Sequence, residues 1–170
     1  MAEYKEKMSQ QHFEEMQAKL AYLKGTRRDE IAAALAEARS HGDLSENAEY
    51  DEARNEQARL EAEIVQLAHT LENAEIIKVD TNEGADIIET GSYVKLRRDA
   101  FNGQPEKIES FQIVGRSEAD YSKHKISDDS PIGAAALGKR LNERFEVEAP
   151  IGFMNFTVLE ISLSAPDEEE

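Results

Sequence analysis

The chain has 170 residues, of which 39% are hydrophobic and 33% charged, and 20 Lys+Arg against 36 Asp+Glu leave a formal net charge of −16. That length holds one ordinary domain or two small ones. No apolar run reaches the about 18 residues of a membrane-spanning helix, cysteine is absent, so disulfides and thiolate metal sites are excluded, and strong negative charge disfavours binding nucleic acid through a broad basic face.

The acid excess is spread along the chain, with 10 Lys+Arg against 17 Asp+Glu up to Val79 and 10 against 19 beyond it. The opening Met1-Ala2-Glu3-Tyr4-Lys5-Glu6 is polar and lacks the apolar segment of a secretory signal. Nothing demands an oxidising compartment, so the cytoplasm is the expected location. Residues 1–9 carry no period and read as a frayed extension.

From Gln10 an apolar stripe begins at Phe13, Met16, Leu20 and Leu23 and resumes at Ile31, Leu35 and Ala38. Steps of three and four between charged residues predict a long amphipathic helix. Gly25-Thr26 interrupts it, marking a kink or a recapped restart at 27–30. A second stripe, Ala53, Gln57, Leu60, Ile64, Leu67, Leu71 and Ala74, alternates steps of four and three, which is a heptad seam. Joined by a short turn, the two make an antiparallel coiled-coil hairpin, each arm of about 30 residues being roughly 45 Å long.

The turn is Gly42-Asp43-Leu44-Ser45-Glu46-Asn47-Ala48-Glu49-Tyr50. Gly42 and Asp43 break the first helix, and acids at the start of the second suit its exposed N–H groups. Asp43 and Glu46 therefore stand at the end of a rod in water. Ordinary capping explains them. So does a metal: two carboxylates on a turn can hold Mg²⁺, which prefers oxygen ligands, provided a partner completes the shell. Arg39 and Arg54 flank the turn and could face a phosphate, or pair within their helices with Glu37, Asp51 or Asp43.

The pattern changes at Ile76. Residues 76–79 read as a short strand or linker, and 92–97, 107–115, 145–148 and 153–161 as strands. Asn102-Gly103 is a hairpin turn. Ser130-Pro131 followed by an alanine-rich run ending at Gly138 is a short capped helix. The fold class is α+β, with the hairpin over residues 1–79, an antiparallel-sheet domain over 80–164 and an acidic tail over 165–170, its Asp167-Glu168-Glu169-Glu170 reading as disordered. His12, His41, His69 and His124 lack metal-ligand spacing, no phosphate-binding glycine loop is present, and no self-sufficient active site is visible.

The run Ala36-Glu37-Ala38-Arg39-Ser40-His41-Gly42-Asp43-Leu44-Ser45-Glu46-Asn47-Ala48-Glu49-Tyr50, with Ala53-Arg54 after it, closely resembles the hairpin tip of the bacterial Gre transcript cleavage factors. Ile126-Ser127-Asp128-Asp129-Ser130-Pro131-Ile132, followed by Ala136-Leu137-Gly138-Lys139, resembles that family's C-terminal motif, and Val114-Gly115-Arg116-Ser117-Glu118-Ala119-Asp120 is a weaker third match. The resemblance implies a coiled coil followed by an FKBP-like domain. It also implies a partner, bacterial RNA polymerase, with the second domain on the rim of the secondary channel and the coiled coil inserted down it.

By the same resemblance, Asp43 and Glu46 help hold a catalytic Mg²⁺ jointly with the polymerase, and none is bound tightly by the free protein. Arg39 and Arg54 contact the 3′ end of backtracked RNA, and Asp129, Ser130 and Pro131 belong to the docking region. Nucleic acid is met only within the elongation complex and no membrane is involved. The chain would activate another enzyme's hydrolysis without being a hydrolase. Its modest basic content is nearer the GreA branch than the GreB branch, although Asp129-Ser130-Pro131 suits the GreB docking loop. Two other readings compete: a channel binder that inhibits polymerase without cleavage, and a coiled-coil adaptor or chaperone-like module.

Overall fold

A computed structural model describes residues 5–40, 44–78 and 86–165, with the backbone alone for 44–47. The described residues divide into two compact units, Gln11–Ala74 in one and Lys5–Gln10 with the chain from Glu75 onward in the other.

The first unit contains α1 (Gln10–Tyr22), a π-helical segment (Leu23–Arg27), α2 (Arg28–Ser40) and α3 (Leu44–Glu72). The predicted stripe is the buried one: Met16, Leu23, Ile31 and Ala38 face inward from the first arm, and Ala53, Leu60 and Ile64 from α3. Leu23, Ile31, Leu60 and Ile64 form its apolar centre, with Leu20, Leu35 and Leu67 packed around them. Lys19 Nζ meets Glu63 Oε1 at 2.7 Å, Arg27 meets Glu56, and Arg39 meets Tyr50, so numbers fall on α3 as they rise on the first arm. The arms are antiparallel. Polar contacts near the surface add little stability, but each matches one position of the first arm to one on α3.

At Gly25 the helix is not capped and restarted; it runs on through the π segment. Leu23 and Ile31 are eight residues apart where a heptad allows seven. A π turn takes up one extra residue without stopping the helix, and the π segment lies in that interval, with no side-chain cap at its start. The slip brings Arg27 to the seam, where it is half-buried against Glu30 and Glu56. Its partner position on α3 shifts as well: Gln57, expected inside, is exposed, and Glu56 takes the half-buried place.

The second unit begins earlier than the composition suggests. Residues 5–8 are not a frayed extension: β1 (Glu6–Met8) pairs with β2 (Ala74–Ile76), Ile77 N–H donates to the Met8 carbonyl at 2.9 Å, and Met8 is fully buried. The division therefore moves residues 5–10 and 75–78 out of the hairpin. A three-residue strand is too short to show a period of two, so no pattern announces it. Val79, the polar stretch to Ala85, the turn at 41–43 and the tail from Pro166 lie outside the described residues.

The main sheet has the order β5-β4-β3-β7-β6, formed by β3 (Tyr93–Arg98), β4 (Lys107–Val114), β5 (Lys125–Ser127), β6 (Arg144–Ala149) and β7 (Gly152–Ser162). The four long strands match the expected ones and pair antiparallel. The short β5 runs parallel to β4, which makes the sheet mixed where an antiparallel one was expected. Asn102 and Gly103 both have positive φ, 46° and 77°, as the tightest hairpin turn requires, and Phe101 and Gln104 exchange both backbone hydrogen bonds. Val94, Leu96, Phe111, Ile113, Val147 and Val158 form the core, and α4 (Pro131–Ala136) lays Ile132 and Ala136 on it.

Two glycines make opposite predictions. A Cβ at Gly115 would sit 1.6 Å from the Lys7 carbonyl oxygen, so β1 lies where a side chain would be. Gly25 has nothing within 4 Å of that position and is helical. In urea melts Gly115→Ala should lose about 2–3 kcal/mol by displacing β1. Gly25→Ala should gain about 0.5–1 kcal/mol, the cost of an exposed helical glycine. Equal melts for the two variants would contradict this placement of β1.

Candidate functional site

Two clusters carry the candidate residues. The first lies where α2 and α3 approach the turn. Seam positions there are Ala38 and Ala53, both buried. Alanine lets two helix backbones come close, so side chains next to the seam can reach across it. Arg39, in the last turn of α2, donates from its terminal nitrogen to Tyr50 Oη at 3.0 Å, with the guanidinium carbon 5.4 Å from the ring centroid. Arg54, one turn along α3 from Tyr50, adds its positive charge beside the same phenol. The Arg39 hydrogen bond, with the charges of both arginines, brings the Tyr50 phenol below its ordinary value.

Both arginines are exposed and Tyr50 is half-buried. Arg39 and Arg54 therefore both border Tyr50, one from each helix, and Tyr50 had no role of its own in the expectations from sequence. Its signal was available: Tyr50 and Arg54 stand four apart on one helical face. Of the two acids, Asp43 lies outside the described residues, and Glu46 is described only as a backbone position in the first turn of α3. Among the described residues, no three His, Asp or Glu side chains are grouped to hold a metal ion.

The second cluster is the turn from β5 into α4. Ser130 caps the helix, accepting from Gly133 N–H at 3.0 Å and donating to the Ser127 carbonyl at 2.6 Å, and Pro131 occupies the first turn. Gly133 is obligatory: a Cβ there would lie 2.0 Å from the Ser127 carbonyl oxygen. Asp129 is exposed, its carboxylate held by the Ser127 hydroxyl and by Arg116 Nε at 2.6 Å. Those hydrogen bonds, with Ser127 the larger influence and Arg116 next, hold the Asp129 carboxyl below the usual carboxylate range. Thr90 donates to Asp128 at 3.0 Å from the other side.

Arg116 starts a short 3₁₀ turn (Arg116–Glu118) whose last residue is a second anchor. Glu118 accepts from Ser9 N–H at 3.2 Å, from Ser9 Oγ at 3.0 Å and from Lys125 Nζ at 3.0 Å. Burial alone would push this carboxyl up, but the Lys125 and Ser9 hydrogen bonds together carry it below its ordinary value. The segment 115–118 thus ties β1, β5 and the Asp129 turn together, which accounts for a motif the sequence reading left without a task.

Residues 6–76 match the family description "Transcription elongation factor, N-terminal", and residues 83–163 match "Transcription elongation factor, GreA/GreB, C-term". The chain is 43% identical over 155 residues to transcription elongation factor GreA of Clostridium novyi (strain NT), covering 91% of this chain and 94% of that protein. The chain belongs to the GreA/GreB family. It is a transcription elongation factor. A second GreA, from Caldanaerobacter subterraneus, is 44% identical over 146 residues, covering 86% and 90% of the two chains. The crystal structure of GreA factor homolog 1 of Thermus thermophilus is 29% identical, covers 93% of this Gre factor and 99% of that chain, and superposes with a TM-score of 0.42. No helix among the described residues of this Gre factor is long and apolar enough to cross a membrane.

The Asp129 turn gives a pH test. Because the folded carboxyl titrates below its unfolded value of about 3.9, its contribution is fully present above that pH and is lost as pH falls through the folded value. Thermal melts of wild type and Asp129→Asn should differ near neutrality, with wild type the more stable, and converge in acid. A gap that persists at low pH would remove the charge from the explanation.

Proposed function

We propose that this Gre factor stimulates bacterial RNA polymerase to cut backtracked RNA, its hairpin delivering Asp43 and Glu46 down the secondary channel to the enzyme's active site. The observation that carries the reading is that Arg39 and Arg54 flank Tyr50, one from each helix, and Tyr50 lies a single turn from the place of Glu46 on α3. In a chain of net charge −16, two guanidiniums beside the turn supply the local attraction an RNA 3′ end needs.

Asp43 directly precedes α3 and Glu46 is its third residue. Carboxylate oxygens are the donors Mg²⁺ prefers, but two are too few to hold it alone, so the polymerase supplies the remaining ligands. A Mg²⁺ shared in this way supplies a Lewis acid and an activated water for phosphodiester hydrolysis. The hydrolysis then belongs to the polymerase, and this chain is its activator. The second unit docks on the channel rim through the Asp129-Ser130-Pro131 turn, whose exposed carboxylate is held in one orientation by Arg116 and Ser127. The cytoplasm is where such a partner is met.

The test is RNA cleavage in a stalled, backtracked bacterial elongation complex with Mg²⁺, alongside a control without polymerase. Wild type should cleave only with polymerase. Asp43→Asn and Glu46→Gln should each lower the rate by a hundredfold or more, the order expected when a group at the reacting centre is removed, while still binding polymerase. Asp129→Ala and Pro131→Ala should weaken binding instead. Wild-type binding without cleavage would make the factor an inhibitor, and no binding would leave an adaptor.

A further inference from the structure

Arg39 and Arg54, two like charges, both stand beside Tyr50, one from each helix. A phenol offers a single O–H donor and two acceptor lone pairs. Arg39 reaches it at 3.0 Å from α2, and Arg54 stands four residues on from it along α3, its charge acting on the phenol. The two approaches differ in kind: Arg39 also lies over the ring face, 5.4 Å from its centroid. Each guanidinium carries five N–H donors, more than one phenol oxygen can accept from. Both heads are solvent-exposed, and the shared residue is the half-buried one.

We propose that Tyr50 is a positioning residue that holds Arg39 and Arg54 as a ready-made pair of guanidiniums for one phosphate of the extruded RNA strand. This rests on the RNA-contact reading of the two arginines given above. Without the phenol oxygen the two side chains, each with several rotatable bonds, would have to be ordered by the RNA itself, and ordering charged side chains is what weakens a binding site. With it, ordering is complete before the RNA arrives. A phosphodiester presents two non-bridging oxygens, one for each guanidinium. Tyr50 need not touch the RNA for this, so it acts through the arginines.

The same geometry gives a pH signature. Among the described residues, the charged groups acting on the phenol are Arg39 from α2 and Arg54 from α3. When the phenol loses its proton, the phenolate pairs with both guanidiniums and repels a phosphate, so RNA affinity should fall as pH rises through the titration of Tyr50. A phenylalanine at 50 has no such transition.

The experiment compares binding of the full chain to two elongation complexes, one backtracked with an extruded RNA 3′ end and one without, with Ca²⁺ in place of Mg²⁺ so that the RNA stays uncut. Wild type should prefer the backtracked complex. Tyr50→Phe keeps the ring in the seam and should lower that preference roughly threefold to tenfold, as losing one net hydrogen bond would, with affinity for the other complex unchanged. The wild-type preference should decline at alkaline pH and the variant's should not. In the free protein, ultraviolet titration of the phenol should move upward in Arg39→Gln. A wild-type preference that Tyr50→Phe retains in full would overturn the positioning role alone. A wild type with no preference would overturn the RNA contact as well. An unmoved phenol titration would show that Arg39 does not hold Tyr50 in solution.

Discussion

The first unit is limited by having only one surface to bury. Two helices with no third layer bring only a seam out of water, and its contents change along its length. At the centre are Leu23, Ile31, Leu60 and Ile64, side chains whose burial is worth about 1.5–3 kcal/mol each. Toward the turn the seam narrows to Ala38 and Ala53, each worth about one methyl group, under 1 kcal/mol. Apolar burial therefore holds the middle of the hairpin and does little to define its end. There, Arg39 reaches across to Tyr50, and the small seam residues leave room for that contact.

The second unit follows a different rule, in which backbone closeness takes the place of side-chain bulk. Lys7 lies against Gly115 and Ser127 against Gly133, each at a distance that leaves no room for a Cβ. These two contacts bracket the segment from 115 to 133, and two carboxylates between them are each held by two residues: Glu118 by Ser9 and Lys125, Asp129 by Arg116 and Ser127. Glu118 is the more buried of the two acids, so removing one of its partners would strand a desolvated carboxylate, the costly direction for such pairs. Asp129 is exposed, and its pairings set its orientation more than they add stability.

Much of this was legible in the sequence because its signals were periodic or local. The two apolar stripes, the Asn102-Gly103 turn and the Ser130-Pro131 cap each carry their own physical reason within a few residues. What escaped was short or nonlocal. β1 is three residues long and shows no period, β5 is as short and pairs parallel, and Gly115 is explained only by a carbonyl more than a hundred residues away. The π segment stands between these cases: the eight-residue step from Leu23 to Ile31 records the extra residue, but it reads as a phase slip only once the stripe is held to be continuous. At the site, the acids and arginines were legible as residue types at the turn. That Arg39 meets Tyr50 depends on the antiparallel register, which no local pattern states.

The division of work between the two units bears on the proposed chemistry. A site of two carboxylates binds a divalent ion weakly, and in free solution that weakness is an advantage, since an activated water held permanently at an exposed tip would have no substrate to select. Selection has to come from elsewhere. On the proposed reading it comes twice, from the Asp129 turn recognising the polymerase and from the paired guanidiniums recognising an RNA end that is present only when the enzyme has backtracked. Linked modules of this kind bind together far more tightly than either alone, because engagement of the first raises the effective concentration of the second. Each contact can then stay weak, and the factor can leave once the RNA end is gone. The exposed positions of Arg39, Arg54 and Asp129 suit that requirement, since surface charges exchange partners readily while buried ones do not.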